Sequence, residues 1–351
     1  MTNYAGYMGK VIRLDLSSRS VSEYPWTDRD RQLYLGGKAM ASKIMYDNFT
    51  GSEKPLEPEN IIVISTGPLT GTGAPSSSRF NISTLSPQTG ITTSSNCGGN
   101  FGHYLKKAGY DALIIAGKCE KLTWVEIHND IIKFHDAEEL KGLCTTPTQE
   151  SIQQKLDEER GCEVKCGKVV IGPAGENLVK YASVFSNERA AGRCVFGSKN
   201  LKGIAVSGTH EVSIYDPQKT HELFEKWVET LKKHPLTGNQ LPKMGTAGLV
   251  TTMQMRGLLP TRNYAKGQFE DFELVNGETF AEDINIVNKG CLSCPMKCAR
   301  TVKVGNHEVK GPELETLGLL GGGIMNNDLK LICKWNYELD ELGMDTISCA
   351  N

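Results

Sequence analysis

At 351 residues, 39% hydrophobic and 23% charged with a formal net charge of −2, the chain is long enough for two or three domains with a sizeable core. Its lysines and arginines are scattered rather than gathered in one stripe, which argues against nucleic acid or another polyanion as a partner. No window approaches roughly eighteen uncharged apolar residues, and the N-terminus lacks the basic start and apolar run of a signal peptide, so a cytoplasmic protein without a membrane span is expected. In that compartment Cys97, Cys119, Cys144, Cys162, Cys166, Cys194, Cys333 and Cys349 stay reduced, and most are expected to be small buried hydrophobes.

In chain order, the alternation of Ile12, Leu14 and Leu16 with Arg13 and Asp15 reads as a strand with one wet face. Gly36-Gly37 leads into a helix over 38–49, and 60–65 reads as a buried strand that ends in a small-residue loop from Thr66. Further small-residue loops follow at 74–81 and 93–102, the latter before a helix over 101–108. Small residues let the backbone approach a ligand, and free N–H groups ahead of a helix form an anion-binding concavity; Arg79 adds a bidentate donor. Taken singly, such loops read as plain turns.

Strands follow over 111–117, 122–128 and 131–135, with a hairpin at Asn129-Asp130, and His128 and His135 read as surface residues rather than ligands. A helix over 147–158 and a buried strand from Lys168 come next, while Cys162 and Cys166 lack a nearby third ligand. A fourth small-residue loop from Asn187 carries Arg189 and Arg193 and leads into a strand over 203–207. The pattern then turns from β-rich to helical, placing a domain boundary near residue 210. No internal repeat is evident. The class is α+β.

The second part begins with an amphipathic helix from His221 to Lys233 and carries Cys291, Cys294 and Cys298 in the order C-x2-C-x3-C. A thiolate run this dense reads as a metal site, with a [4Fe–4S] cluster favoured over zinc because zinc sites usually pair two such doublets; a cubane needs a fourth ligand from elsewhere. Glu313 and Glu315 stand beside a turn. Leu329, Ile332, Trp335, Leu339 and Leu342 mark a helix capped by Asn326-Asn-Asp and closed by Gly343.

Together these segments resemble the tungsten-dependent aldehyde ferredoxin oxidoreductase family, collinearly over essentially the whole chain. The resemblance rests on the Thr66-Gly-Pro-Leu-Thr-Gly loop, Ser78-Arg79, Asn96-Cys-Gly98-Gly99, Arg189-Ala190-Ala-Gly192-Arg193, the cysteine run, and Asp340-Glu-Leu-Gly343-Met-Asp345, which matches the first of two D-x-x-G-[LM]-[DC] pterin motifs. It implies an N-terminal β-rich pterin-binding domain over 1–210 and a mainly α-helical domain over 211–351. It further implies two pyranopterins holding tungsten or molybdenum beside a [4Fe–4S] cluster, with Cys291, Cys294 and Cys298 as three cluster ligands. Arg79 resembles the arginine between cluster and pterin, and Glu313 an active-site glutamate that accepts a proton or positions water. The implied reaction oxidises an aldehyde to a carboxylic acid and passes electrons through the cluster to ferredoxin or another iron–sulfur partner, in a homodimer or hetero-oligomer.

Family members are much longer, so the second domain is expected to be incomplete, through a shortened chain, a split gene or a stop at a selenocysteine codon. Should Cys349 ligate the metal, as a cysteine does in the benzoyl-coenzyme A reductase branch, the reaction becomes low-potential reduction of an aromatic thioester. A non-catalytic electron-transfer fragment and a zinc-stabilised scaffold are the readings from other classes.

Overall fold

A computed structural model describes residues 3–187, 189–193, 195–284 and 286–350, with only the backbone of Ala191 and Arg193. Cys194 and the Arg193 side chain therefore lie outside the described residues. The chain divides into two compact units, the first from 1 to 220 with 341–344, the second from 221 to 340 with 345–351.

The first unit holds two six-stranded sheets. One contains β1 (Val11–Asp15), β2 (Ser20–Glu23), β3 (Ile62–Thr66), β4 (Phe80–Leu85), β5 (Thr92–Cys97) and β6 (Ala112–Ala116) in the order β2-β1-β6-β3-β4-β5. The other contains β7 (Thr123–His128), β8 (Ile131–Asp136), β9 (Gly167–Ile171), β10 (Ser183–Ser186), β11 (Arg189–Arg193) and β12 (Leu201–Ser207) in the order β8-β7-β12-β9-β10-β11. Adding six to each label of the first order gives the second. The pairing repeats as well: β1 with β6 and β7 with β12 are parallel, and every other pair is antiparallel. The sequence hides this duplication because it resides in strand order, while corresponding strands share no residue pattern; β5 reads TTSSNC and β11 RAAGR.

The continuous apolar runs follow from burial on both faces. Ile62, Ile64, Leu113 and Ile115 of the first sheet meet Val125, Ile127, Val169, Ile171, Ile204 and Val206 of the second in one core. The opposite face of the first sheet, with Val63 and Ile114, is covered by Met40, Ala41, Ile44 and Met45 of the helix Gly37–Asn48. On the outer face of the second sheet, Ile152 and Leu156 of the helix Thr145–Arg160 pack on Trp124, Val170 and Ala205. Within this interior Lys106 Nζ lies 2.5 Å from Asp111 Oδ1 and donates to the Gly6 carbonyl at 2.9 Å, and the Asp111 carboxylate accepts the Met8 and Gly9 amides. A buried pair is tolerable only with such additional hydrogen bonds.

Three segments expected to be loops are strands. Phe80 at the start of β4 is a good strand former, whereas β5 and β11 carry mostly polar or small residues, yet Phe80 to Leu85 pairs residue by residue with Cys97 to Thr92. Asn81 Nδ2 secures the ladder by donating to Ser94 Oγ at 2.7 Å, Ser95 O at 3.0 Å and Asn96 Oδ1 at 3.2 Å, so pairing overrides propensity. His128 and His135 are half-buried rather than surface residues. His128 Nδ1 lies 2.9 Å from Ser207 Oγ, and His135 stacks on Trp124 with ring centroids 4.1 Å apart and lies 3.0 Å from Glu126.

In the second unit a core of Val250, Leu259, Phe269, Phe280, Val302, Leu317, Leu320 and Ile332 is wrapped by helices that include Leu249–Met255, Gly277–Asp283, Leu314–Leu320 and Leu329–Leu342. An antiparallel sheet of β13 (Val287–Lys289), β14 (Ala299–Val304) and β15 (His307–Lys310) accompanies them. The last helix runs as its apolar spacing requires: Asp328 Oδ1 caps it at Leu331 N, 3.0 Å, and Gly343 ends it in the left-handed region at φ 77°. Among the described residues no helix is long and apolar enough to cross a membrane.

Candidate functional site

In the first unit the small-residue segments converge at one edge of the paired sheets. Thr70, itself buried, donates to Ser77 O at 3.2 Å and Arg79 O at 3.1 Å, so the loop from Thr66 is fastened to the start of β4. Since Phe80 pairs with Cys97, Arg79 stands beside Gly98. The exposed Arg79 donates from Nη1 to Asn96 O at 3.5 Å, and Asn96 is exposed at the end of β5.

β11 runs beside this edge. The Cys97 thiol donates to Arg189 O at 3.7 Å, and Ala190 pairs with Phe185 across the hairpin. Gly192, at φ 85°, lies so close to the Ser95 side chain that a Cβ there would overlap it. Gly99, at φ 93°, leaves space whose Cβ position is 3.5 Å from Asn187 Oδ1 and 3.7 Å from Ser186 Oγ.

Around the same edge the buried Ser78 Oγ, Asn100 Oδ1 and Ser186 Oγ have no hydrogen-bond partner among the described residues. Buried polar atoms are normally paired, so three orphans beside a glycine-lined strand edge fit a polar group of substantial size, such as a pterin with its phosphate. The fold thus brings Arg79, Asn96, Gly98, Gly99, Arg189, Ala190 and Gly192 together.

The motif at the end of the long helix is split by its function in the fold. Gly343 O accepts the Ser183 amide at 2.8 Å and Met344 bridges Ala182, so this turn joins the first unit. A Cβ on Gly343 would stand 2.7 Å from Gly172 N, which explains the glycine. Asp340 Oδ2 accepts from Asn336 at 3.2 Å, and Asp345 caps the short helix Thr346–Cys349, accepting the Ser348 amide at 3.2 Å and hydroxyl at 2.7 Å. Cys349 on that helix is exposed, and burial, followed by the Asp345 charge, pushes its thiol above the usual value.

In the second unit the cysteines occupy the hairpin loop 290–298, closed by pairing of Lys289 with Ala299. Cys294 N donates to Cys291 O at 3.0 Å, Ser293 and Lys297 adopt left-handed φ of 58° and 44°, and a Cβ on Gly290 would lie 3.1 Å from Lys297 Cα. The loop therefore curls on itself, with all three thiols partly exposed. Three such thiols on one curled loop fit the donor set of an iron–sulfur centre that takes its fourth ligand from elsewhere.

Glu313 opens the helix Leu314–Leu320; its Oε2 accepts the Thr246 hydroxyl at 2.6 Å and its Oε1 lies 3.7 Å from Lys310 Nζ. Glu315, on the first turn, is exposed. Thr246 and the buried Arg300 had no signal of their own in the sequence, because what marks them is contact with residues distant in the chain.

The fold is of the α+β class. The structure shares its fold with a chain of the active-site complex BamBC of benzoyl coenzyme A reductase, solved with 1,5-dienoyl-CoA, at a TM-score of 0.83 and 28% identity over 97% of this chain and 54% of that one. Residues 11–208 match the family described as aldehyde ferredoxin oxidoreductase, N-terminal domain, and residues 222–351 match its domains 2 and 3; the chain belongs to the aldehyde ferredoxin oxidoreductase family.

The tungsten-containing aldehyde ferredoxin oxidoreductases of Pyrococcus furiosus and Thermococcus kodakarensis are each 39% identical over 349 residues, 98% of this chain. That alignment spans 57% of the length of either relative.

Proposed function

We propose that this chain is the pterin- and cluster-binding part of a tungsten, or molybdenum, bis-pyranopterin oxidoreductase that oxidises an aldehyde to a carboxylic acid. The observation that carries the reading is the glycine-lined strand edge with its orphaned Ser78, Asn100 and Ser186. In this reading Arg79, Asn96, Gly98, Gly99, Arg189, Ala190, Gly192, Arg193, Asp340, Gly343 and Asp345 are the pterin-binding residues. Arginines and backbone N–H groups suit its phosphates. Cys291, Cys294 and Cys298 supply three of four cluster thiolates.

When bound, the metal and cluster supply a two-electron oxidation and an exit for single electrons. Aldehyde and water yield the acid, two electrons and two protons. Glu313 takes a proton from the water, oriented through its Oε2 by the Thr246 hydroxyl, with Lys310 Nζ 3.7 Å from its Oε1. The electrons leave to ferredoxin or a related iron–sulfur partner, within a homodimer or hetero-oligomer. Aldehyde is favoured over an aromatic thioester because the aldehyde ferredoxin oxidoreductases are 39% identical to this chain and the benzoyl coenzyme A reductase chain 28%.

The test is aldehyde-dependent reduction of a viologen dye by anaerobically prepared protein, comparing Glu313→Gln with Glu315→Gln. A fall of about 10²-fold or more in kcat for the first, with KM little changed and the second near wild type, is expected. The reverse pattern would move the proton acceptor to Glu315, and dye reduction that depends on no aldehyde would remove the substrate assignment.

A further inference from the structure

Arg300 is among the most buried arginines of the chain, at 4% exposure, and lies two residues beyond the last cysteine of the loop. Its guanidinium makes four hydrogen bonds, all to carbonyls. Nη1 donates to Lys297 O at 2.9 Å and Ala299 O at 3.1 Å, on either side of Cys298. Nη2 donates to Leu241 O at 2.8 Å and Pro242 O at 3.0 Å, at the start of the turn Leu241–Met244. Nε is buried without a partner. No carboxylate bonds to it among the described residues, although the charges of Cys298 and Glu313 are close enough to favour its cation against the desolvation that opposes it.

The surroundings are shaped to this side chain. Gly245, at φ 62°, has its Cβ position 2.6 Å from Cys298 O and in ordinary contact, 3.5 Å, with Arg300 Cγ and Cζ, so any larger residue would collide with the Cys298 carbonyl at the end of the loop. The next residue, Thr246, holds Glu313. One guanidinium thus stands between the closing end of the cysteine loop and the turn that orients the candidate proton acceptor.

A buried cation with no hydrogen-bonded anion is costly, and four carbonyls share its charge without cancelling it. Three thiolates around an iron–sulfur core are anionic, and nearby charge and hydrogen bonding to sulfur set the potential of such a centre. We propose that Arg300 is a positioning residue that pins the cysteine loop closed and supplies the fixed countercharge to the centre held there. This rests on the iron–sulfur reading above for the countercharge, but not for the pin.

The full chain and its Arg300→Gln and Arg300→Lys variants are compared in two ways. First, the protein reconstituted anaerobically with ferrous iron and sulfide is titrated redox-potentiometrically by electron paramagnetic resonance. Second, alkylation of Cys291, Cys294 and Cys298 by iodoacetamide is timed in metal-free protein by peptide mass spectrometry.

Loss of the cation in Arg300→Gln disfavours the reduced centre about tenfold, a fall of about 59 mV for one electron. Lysine keeps the charge but lacks the fork that reaches four carbonyls, so Arg300→Lys stays near the wild-type potential. Its thiols, however, react about tenfold faster. An unchanged potential in Arg300→Gln overturns the countercharge, and a wild-type alkylation rate in Arg300→Lys overturns the pin. If the wild type binds no iron, it is the iron–sulfur reading that fails, and alkylation still decides the pin. Should Arg300→Gln not fold, Arg300→Met carries the potential measurement in its place, and the lysine variant decides the pin.

Discussion

The strand edge of the first unit and the cysteine loop of the second hold their candidate ligand groups in different ways. Along the edge, Asn96 and Ala190 are fixed by sheet register, and Gly98 and Gly192 stand beside paired residues: Phe80 to Leu85 against Cys97 to Thr92, and β10 against β11. The loop 290–298 is held by one ladder pair at its mouth and by a single guanidinium near its end. Shape at the edge is therefore a property of the whole double sheet, whereas shape at the loop depends on a few contacts. The first should resist point changes outside its glycines, and the second should be sensitive to a change at one residue.

The largest expected effect is in the interior of the double sheet that carries the edge. Asp111→Ala strands the buried Lys106 ammonium and should cost about 3–5 kcal/mol in urea unfolding; an unchanged midpoint would mean that the pair contributes nothing to the sheets. Gly192→Ala places a methyl against Ser95 at positive φ and should cost about 1–3 kcal/mol. Gly142, at φ 74° with open space around it, is its control: Gly142→Ala should lose only the conformational part, about 1 kcal/mol. Equal losses at the two positions would remove the close-packing argument for Gly192.

Cys298→Ser should leave unfolding of the first unit within about 0.5 kcal/mol of wild type while abolishing iron uptake on reconstitution. Iron retained at the wild-type level would exclude Cys298 as a ligand.

The smallest effect is in acid. Glu126, bonded to His135 and Arg160, is held below its ordinary value of 4.5. A depressed folded value means that its contribution is present above pH 4.5 and is lost as the pH falls through the lower folded value. Glu126→Gln should therefore lower Tm near neutrality by an amount worth about 1 kcal/mol and flatten the decline of Tm in acid. Parallel Tm profiles for variant and wild type would show that the group does not act in this way.

What the sequence exposes and what it hides divide along the same line. The helix Leu329–Leu342 and the buried strands β3, β6, β9 and β12 are legible because apolar periodicity is local and strong. The cysteine run is legible because its spacing is itself the chemistry. By contrast, β5 and β11 are polar or small, and become strands only when Asn81, Ser94 and Ser95 find one another across the ladder. The repeat of two sheets is invisible for the same reason, since it resides in pairing. Gly98, Gly99 and Gly192 announce unusual backbone, but their proximity across 93 residues of chain comes from β11 settling beside β5. Arg300 reads as one more basic residue until its four carbonyl partners are seen.

The central claim, that the strand edge and the cysteine loop hold a tungsten or molybdenum pterin and an iron–sulfur centre, is tested most directly by the metal content of anaerobically purified protein, measured by inductively coupled plasma mass spectrometry. The account predicts tungsten or molybdenum near about one per chain and iron near about four. Zinc alone, with neither heavy metal nor iron, would contradict it.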